Sequence, residues 1–291
     1  MKTTIEIIDR AYSQAKKPCL AFSGGGDSAV LLDILVQAGH KPDLIHADSL
    51  MEYPDTRAFV EETAARYSLT LHVATPKREP REQWERTGWP MLGKLAAREW
   101  MQRNKDRYGF KINVSECCRA MKIKPARRLT KSLGFDLQFT GQRGAQDDLL
   151  RGLRDLKDGA VFFNQTDGIW IANPLLGWTD LMIRRYARQH NLPQHPARAR
   201  GAMTIGCVFC GGGAQFRNSG YRALRQTWPE AWRTFMVDWK GGLIILALKY
   251  QRSLETTAKA VEALGGLAAL ADTRPWLFDY CRLTPMKGYA K

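Results

Sequence analysis

Two pairs of closely spaced cysteines constrain this chain more than any other feature of its sequence. Cys117 and Cys118 are adjacent, and Cys207 and Cys210 follow about ninety residues later in a Cys-Val-Phe-Cys segment. Local packing does not explain two such pairs, so we expect folding to bring them together at one site. Thiolates select zinc or iron–sulfur clusters, and a bound metal would hold the fold together at this point.

The adjacent cysteines favour an iron–sulfur cluster over zinc. Zinc ribbons mostly use two spaced Cys-x-x-Cys pairs, whereas the separate iron corners of a cubane accept neighbouring thiolates. We therefore expect a [4Fe-4S] cluster, with zinc as the alternative, bound by Cys117, Cys118, Cys207 and Cys210. Buried free cysteines are a third interpretation, which leaves the pairing unexplained.

Length and charge limit the classes of protein to which the chain can belong. Its 291 residues, 44% of them hydrophobic, suffice for a large core without disulfides. The sequence has no signal-like N-terminal segment and no apolar run of about eighteen residues, so we expect a soluble, cytoplasmic protein. Its net charge of +15 favours a polyanionic partner such as nucleic acid, although anionic nucleotides account for part of it.

A glycine-rich loop separates the first predicted strand, residues 18–22, from a predicted helix over 29–36. The loop consists of Ser23, Gly24, Gly25, Gly26, Asp27 and Ser28. Successive glycines let an anion approach the backbone, and the N-terminus of the following helix directs N–H groups at it. The loop matches neither a Walker A motif nor Gly-x-Gly-x-x-Gly. It predicts an anion-binding site, and a purely structural turn is the alternative.

Alternating strands and helices predict an α/β fold with a doubly wound, mainly parallel sheet. Further strands are expected over 43–47, 69–74 and 135–140. Because ligands bind at the carboxyl ends of parallel strands, Asp48 should share an edge with the glycine loop. Arg143 and Arg151 follow the last of these strands, and arginine suits phosphate or sulfate recognition.

The composition changes towards the C-terminus. We predict a nucleotide-binding α/β domain over residues 1–200, followed by a helical extension over 201–291 that completes the cysteine set and is basic and rich in tryptophan. The spacing of Trp228, Trp232 and Trp239 favours core packing over the stacking of nucleic-acid bases. A helix is expected over 249–265.

Four blocks, taken together, resemble the phosphoadenosine and adenosine phosphosulfate reductase family of the PP-loop ATP pyrophosphatase superfamily. Residues 23–28 resemble the PP-loop, and 46–56 resemble the family's Asp-Thr-Gly segment. Residues 140–143 with Arg151, and residues 173–180, resemble two later blocks, while the cysteines are similar to those of the iron–sulfur branch. The resemblance implies an adenine nucleotide alpha hydrolase-like sheet.

The sequence departs from the family pattern at two places, and these departures lead to different expectations about function. Family reductases carry a C-terminal Glu-Cys-Gly-Leu/Ile-His segment whose cysteine attacks the sulfur of the bound sulfonucleotide, whereas Cys281 is followed by neither Gly nor His. Gly26 stands where many PP-loops have lysine. The chain also resembles the sulfur-transfer ATP pyrophosphatases, including the DndC and SspD-like proteins of DNA phosphorothioation and, more distantly, tRNA thiolases.

The leading hypothesis is therefore an ATP-dependent sulfurtransferase that adenylates and thiolates nucleic acid. The resemblance implies Mg²⁺, pyrophosphate bound by residues 23–28, Asp48 near the nucleotide, and Arg143 and Arg151 opposite developing charge. A cysteine desulfurase or another sulfur donor would be a partner, and a homo-oligomer is left open. The alternative is a thiol-dependent reductase that produces sulfite from adenosine phosphosulfate or phosphoadenosine phosphosulfate, and a third hypothesis is a non-catalytic nucleotide-binding subunit.

Overall fold

A six-stranded sheet organises the part of the chain that the computed structural model describes, residues 2–92, 94–104, 107–144, 159–202, 204–210 and 220–279. The strands are β1 (Pro18–Ala21), β2 (Asp43–Ala47), β3 (Leu71–Ala74), β4 (Leu137–Phe139), β5 (Val161–Asn164) and β6 (Ile169–Ala172). Their order is β3-β2-β1-β4-β6-β5, and only β5 runs antiparallel to its neighbour among these strands. The expected α/β fold with a mainly parallel sheet is confirmed.

Helices connect and follow the strands. In chain order they are α1 (Lys2–Tyr12), α2 (Gly26–Gln37), α3 (Thr56–Arg66), α4 (Pro80–Thr87), α5 (Lys94–Asn104), α6 (Val114–Cys118), α7 (Lys124–Ser132), α8 (Asp180–Gln189), α9 (Pro196–Ala199), α10 (Gly220–Thr227), α11 (Pro229–Arg233), α12 (Gly241–Tyr250), α13 (Leu254–Ala263) and α14 (Gly266–Thr273). Short π-helical segments, Arg119–Ile123 and Thr234–Asp238, and a 3₁₀ segment, Pro275–Phe278, join some of them. No helix within the described ranges is both long and apolar enough to span a bilayer.

Both faces of the sheet are buried, which explains its short, continuous apolar strands. On β1, Leu20 packs into a core that includes most of α2, while its neighbour Cys19 points to the opposite face. The cluster around Cys19 contains Phe135 and is covered by Leu129 of α7. Helix α2 is apolar almost all round because it is buried.

The strand order places a topological switch point between β1 and β4. From β1, the chain continues outwards through β2 and β3 on one side, whereas β4 and β6 lie on the other. The loops that leave the carboxyl ends of β1 and β4 lie at this switch point, which is where open α/β sheets bind ligands. Residues 22–28 and 140–143 occupy this position.

The chain forms two compact units that are discontinuous in sequence. The first comprises Met1–Asp48, Asp55–Pro76 and Lys122–Ala199, and contains the sheet. The second comprises Ser49–Pro54, Lys77–Met121 and Arg200–Lys291. The sequence-based division at residue 200 assigns 77–121 to the first domain, whereas the structure groups this segment with the C-terminal region.

The second unit differs from the sequence-based expectation in one helix. The helix expected over 249–265 is two helices, because Gln251 adopts a left-handed conformation (φ 52°) that ends α12. Ser253 then caps α13 by accepting a hydrogen bond from the backbone N–H of Thr256. The side chains of Trp228 and Trp232 are buried, as expected for core packing.

The Cys19 thiol gives the first unit an expected alkaline sensitivity. Burial raises the pKa of this thiol from 9.0 to about 12, and the charges of Asp43 and Asp136 act in the same direction. Since the unfolded thiol ionises at lower pH, its contribution to stability is complete below pH 9 and is lost as the pH rises towards 12. The urea-unfolding free energy should fall more steeply between pH 9 and pH 11 in the unmodified chain than in Cys19→Ala. Parallel pH profiles would contradict this.

Candidate anion-binding edge and cysteine set

The loop after β1 is held in shape by its two serines. The Ser28 hydroxyl donates to the carbonyl of Gly25 at 3.0 Å, and the backbone N–H of Gly25 donates to Ser23 Oγ at 3.3 Å. The two hydroxyl oxygens lie 3.2 Å apart. Gly25 is the N-cap of α2, so the first turn of this helix directs its N–H groups and positive dipole end towards the edge of the sheet.

Gly24 is required by both conformation and space. Its φ of 72° is in the left-handed region, and an added Cβ would lie 3.3 Å from Val60 Cγ2 and 3.4 Å from Phe59 Cδ1 on α3. The loop is therefore packed directly on α3. This arrangement supports a preformed backbone cradle in the first unit.

The loop after β4 approaches the same backbone. A Cβ added to Gly141 would lie 3.0 Å from the carbonyl carbon of Asp27 and 3.0 Å from the amide nitrogen of Ser28. The preceding residue, Thr140, donates its hydroxyl to Asn173 Oδ1 at 2.5 Å and accepts from the backbone N–H of Gln142. Thus Asn173, which follows β6, positions the loop that touches the glycine loop.

Arg143 is held by two carboxylates of the first unit. Its Nη2 donates to Asp180 Oδ1 at 2.6 Å, and its Nε lies 3.2 Å from Asp27 Oδ1 as an ion pair without hydrogen-bond geometry. The arginine side chain is 7% exposed, whereas that of Asp180 is 70% exposed. Arg143 therefore ties α8 to the start of α2, and its role against substrate charge stays a prediction.

Asp48 and a histidine that the sequence analysis missed lie on the β2 side. Asp48 follows β2 directly, and its Oδ2 is 3.9 Å from Nη1 of Arg57. His195 is buried, accepts from the backbone N–H of Ala197 on Nδ1, and therefore donates from Nε2 to the Thr56 hydroxyl at 3.0 Å. Its Cδ2 lies 3.7 Å from the position of a Cβ on Gly24.

No local pattern identifies His195, since its side-chain partner Thr56 lies on α3, 139 residues earlier in the chain. Two other residues singled out from the sequence, Arg151 and Cys281, lie outside the described residues.

Removing Arg143 should weaken anion binding. Arg143→Gln removes a positive charge that lies beside the cradle, next to Asp27 and Asp180, so the affinity for an adenine nucleotide should fall about tenfold at low salt. At about 1 M salt, where the Debye length is about 3 Å, the loss should shrink. Isothermal titration calorimetry against Arg188→Gln, an exposed arginine at the far end of α8, provides the comparison. Equal affinities of the two variants at low salt would contradict the expectation.

The four predicted ligand cysteines all belong to the second unit. Cys117 is buried, and the other three are half-buried. Burial raises the pKa of Cys117 to about 12; the indole of Trp84 lowers it by a hydrogen bond, and charges on Cys207, Cys118 and Cys210 raise it further. The two pairs therefore lie near enough for their charges to interact, and their joining in one metal site stays a prediction.

The side chains do not form a complete metal site. Among the residues that the structure describes, no group of three or more His, Cys, Asp or Glu side chains is arranged to hold a metal ion. The donor set nevertheless has the chemistry of a soft-metal or iron–sulfur site, with four thiols in one compact unit. Ser49 adds a hydroxyl 3.3 Å from Cys207 Sγ. A cluster at these cysteines stays a proposal.

Comparison with known proteins identifies the family. The sequence profile of the phosphoadenosine phosphosulfate reductase domain matches residues 17–212. The chain belongs to this family. The match includes the glycine loop, Asp48, Arg143 and all four cysteines of the second unit.

Two curated relatives indicate how far this similarity extends. A phosphoadenosine 5′-phosphosulfate reductase from Alkalilimnicola ehrlichii is 29% identical over 189 residues, which cover 65% of this chain and 68% of the relative. An adenosine 5′-phosphosulfate reductase from Anoxybacillus flavithermus is 26% identical over 214 residues, covering 72% of this chain and 79% of the relative. Both relatives are named as reductases.

A solved structure supports the fold. The phosphoadenylyl-sulfate reductase from Candida auris, crystallised as a phosphate complex, is similar with a TM-score of 0.50 and 23% identity. The similarity covers 70% of this chain and 87% of that chain. It agrees with the phosphosulfate reductase-like sheet described above and concerns the fold alone.

Proposed function

We propose that this chain is a sulfonucleotide reductase, which binds adenosine 5′-phosphosulfate or its 3′-phosphorylated form and releases sulfite. The observation that carries the proposal is the serine-braced loop at the N-terminus of α2, beside the switch point of a phosphosulfate reductase-family sheet. Helix N-termini of this kind bind phosphate and sulfate. The relatives named as reductases support this alternative over the nucleic-acid sulfurtransferase that the sequence analysis favoured.

The reaction requires two thiols. A cysteine thiolate attacks the sulfur of the sulfonucleotide and forms an S–S bond with it. The bond between the attacked sulfur and the bridging oxygen breaks, so the adenosine phosphate leaves with the electron pair of that bond. A second thiolate then attacks the first cysteine's sulfur and expels sulfite. The two thiols end as a disulfide, having supplied two electrons, so a thiol reductant is needed for turnover. Cys281 or an external thiol is the candidate first nucleophile.

The binding edge would hold the leaving nucleotide rather than perform redox chemistry. The first turn of α2 and the hydroxyls of Ser23 and Ser28 would stabilise negative charge on the departing group, as preorganised donors do. Arg143 would offset Asp27 and keep that turn in place. Asp48 would position the nucleotide, since it emerges from the adjacent strand at the same edge.

We also propose that the four cysteines of the second unit bind a [4Fe-4S] cluster. A bound cluster would supply a redox-active group and would cross-link the segments of that unit that carry the cysteines. The protein's own contribution would be to hold two thiol pairs, Cys117 with Cys118 and Cys207 with Cys210, in a largely apolar setting of buried aromatic rings.

The sulfurtransferase is the second candidate, favoured by the net charge of +15 and by the sequence around Cys281, which lacks the reductase Gly and His. It would use ATP with Mg²⁺, adenylate nucleic acid, and accept sulfur from a desulfurase. In that case the same edge would bind pyrophosphate. The two candidates therefore differ in the product released.

The test is a two-product assay on anaerobically purified, iron-reconstituted protein. Sulfite release is measured from both sulfonucleotides with a thiol reductant, and pyrophosphate release is measured from ATP with and without DNA or tRNA. We expect sulfite and no nucleic-acid-stimulated pyrophosphate. Pyrophosphate that depends on DNA or tRNA, without sulfite, would overturn the reductase proposal and support the second candidate.

The nucleophile is tested in the same assay. If Cys281 attacks the sulfonucleotide, Cys281→Ser should abolish sulfite release, whereas Cys19→Ala, which changes a core thiol of β1, should retain it. Undiminished sulfite release by Cys281→Ser would instead assign the attack to an external thiol.

A further inference from the structure

The indole of Trp84 contacts one of the four cysteine sulfurs directly. Trp84 lies on α4 and is 1% exposed, and its Nε1–H donates to Cys117 Sγ across 3.2 Å. The sulfur is itself buried. Water is therefore largely excluded from this contact, and a hydrogen bond in such surroundings acts on the acceptor more strongly than one exposed to solvent.

Aromatic neighbours fix the direction of this donor. The Trp84 ring packs against Trp89 with ring centroids 5.2 Å apart, and edge-on against Phe235 and Trp239 at 5.9 and 5.6 Å. All these residues belong to the second unit. A ring held on several sides keeps its N–H aimed at the thiol, so the contact is a built feature of the packing.

An N–H donor on a metal-bound thiolate has a predictable electronic effect. It stabilises negative charge on sulfur, and reduction of an iron–sulfur cluster adds such charge. Hydrogen bonds to the sulfurs are among the factors that set cluster potentials. Outer-shell donors of this kind also orient the ligand itself.

We propose that Trp84 raises the reduction potential of the iron–sulfur cluster by donating its indole N–H to Cys117 Sγ. The inference rests on the proposed cluster, and it assigns Trp84 as a tuning residue that acts through a ligand.

The experiment compares two tryptophan variants of the full-length, reconstituted protein. Trp84→Phe keeps an aromatic ring but removes the N–H, and Trp89→Phe makes the same chemical change on the neighbouring ring. Iron and sulfide content and the visible spectrum are measured first, and the midpoint potential is then measured by redox titration. At a fixed applied potential, Trp84→Phe should lower the reduced-to-oxidised ratio up to about tenfold, equivalent to about 59 mV for one electron. Trp89→Phe should change it less than about twofold.

Each outcome bears on a separate statement. Wild-type protein that binds no iron would overturn the cluster and this inference with it, while leaving the sulfite assay to decide the reductase proposal. A full cluster whose potential is unchanged in Trp84→Phe, or shifted equally in both variants, would overturn the inference alone. If Trp84→Phe does not fold, wild-type protein labelled with 4-fluorotryptophan, a stronger N–H donor, should show a raised potential, and an unchanged potential would again overturn it.

Discussion

Replacing Gly141 with alanine is expected to weaken adenine-nucleotide binding by at least about tenfold and to lower the unfolding free energy by about 1–3 kcal/mol. The new Cβ would lie 3.0 Å from two backbone atoms, the carbonyl carbon of Asp27 and the amide nitrogen of Ser28. Backbone cannot rotate away as a flexible side chain would. The strain therefore falls on the first turn of α2, which is the turn that the proposed anion site uses.

Gly177→Ala is the matched control, because a Cβ added there meets no atom within 4 Å and Gly177 has no positive φ. Binding of adenosine 5′-phosphosulfate and of ATP is measured by isothermal titration calorimetry, and stability by thermal unfolding. If Gly141→Ala binds both nucleotides as well as Gly177→Ala does, the loop after β4 does not support the cradle. A loss of stability with unchanged affinity would assign Gly141 to folding alone.

Much of the first unit could be predicted from the sequence because its strands are short apolar runs that end in polar or glycine-rich loops. Parallel strands align their carboxyl ends, so the predicted β1, β2 and β4 place the glycine loop, Asp48 and Arg143 on one edge without further information. What could not be predicted is pairing across the sheet. Arg143 forms ion pairs with Asp27 and Asp180, which depends on the relative positions of α2, α8 and the loop after β4.

Contacts between distant segments are even harder to predict from the sequence in the second unit. Its segments come from three separate parts of the chain, and linear composition does not reveal that 77–121 groups with the C-terminal region. Trp84 is an ordinary tryptophan on a polar, arginine-rich helix by sequence, and only packing shows that its N–H meets Cys117. The end of α12 depends on the left-handed conformation of Gln251. This conformation is usually indicated in a sequence by glycine, and the residue here is glutamine.

Single serine substitutions in either cysteine pair should remove most of the bound iron. Serine is a much weaker ligand for iron than a thiolate, and loss of one of four ligands leaves an open corner that hydrolyses or oxidises. We expect Cys118→Ser and Cys207→Ser to retain less than about a quarter of the wild-type iron and to lose the visible charge-transfer absorption. Iron and acid-labile sulfide are quantified after anaerobic reconstitution.

Cys19→Ala provides the control for that loss, because Cys19 is a fully buried thiol of β1 in the first unit and belongs to neither pair. It should bind as much iron as the wild type. If all three variants keep their iron, the two pairs do not form one site. If the wild type instead contains zinc and no sulfide, the thiols bind a single ion, and the adjacent cysteines favoured the wrong metal. If Cys118→Ser and Cys207→Ser lose iron equally and Cys19→Ala does not, residues 117–118 and residues 207–210 bind one cluster.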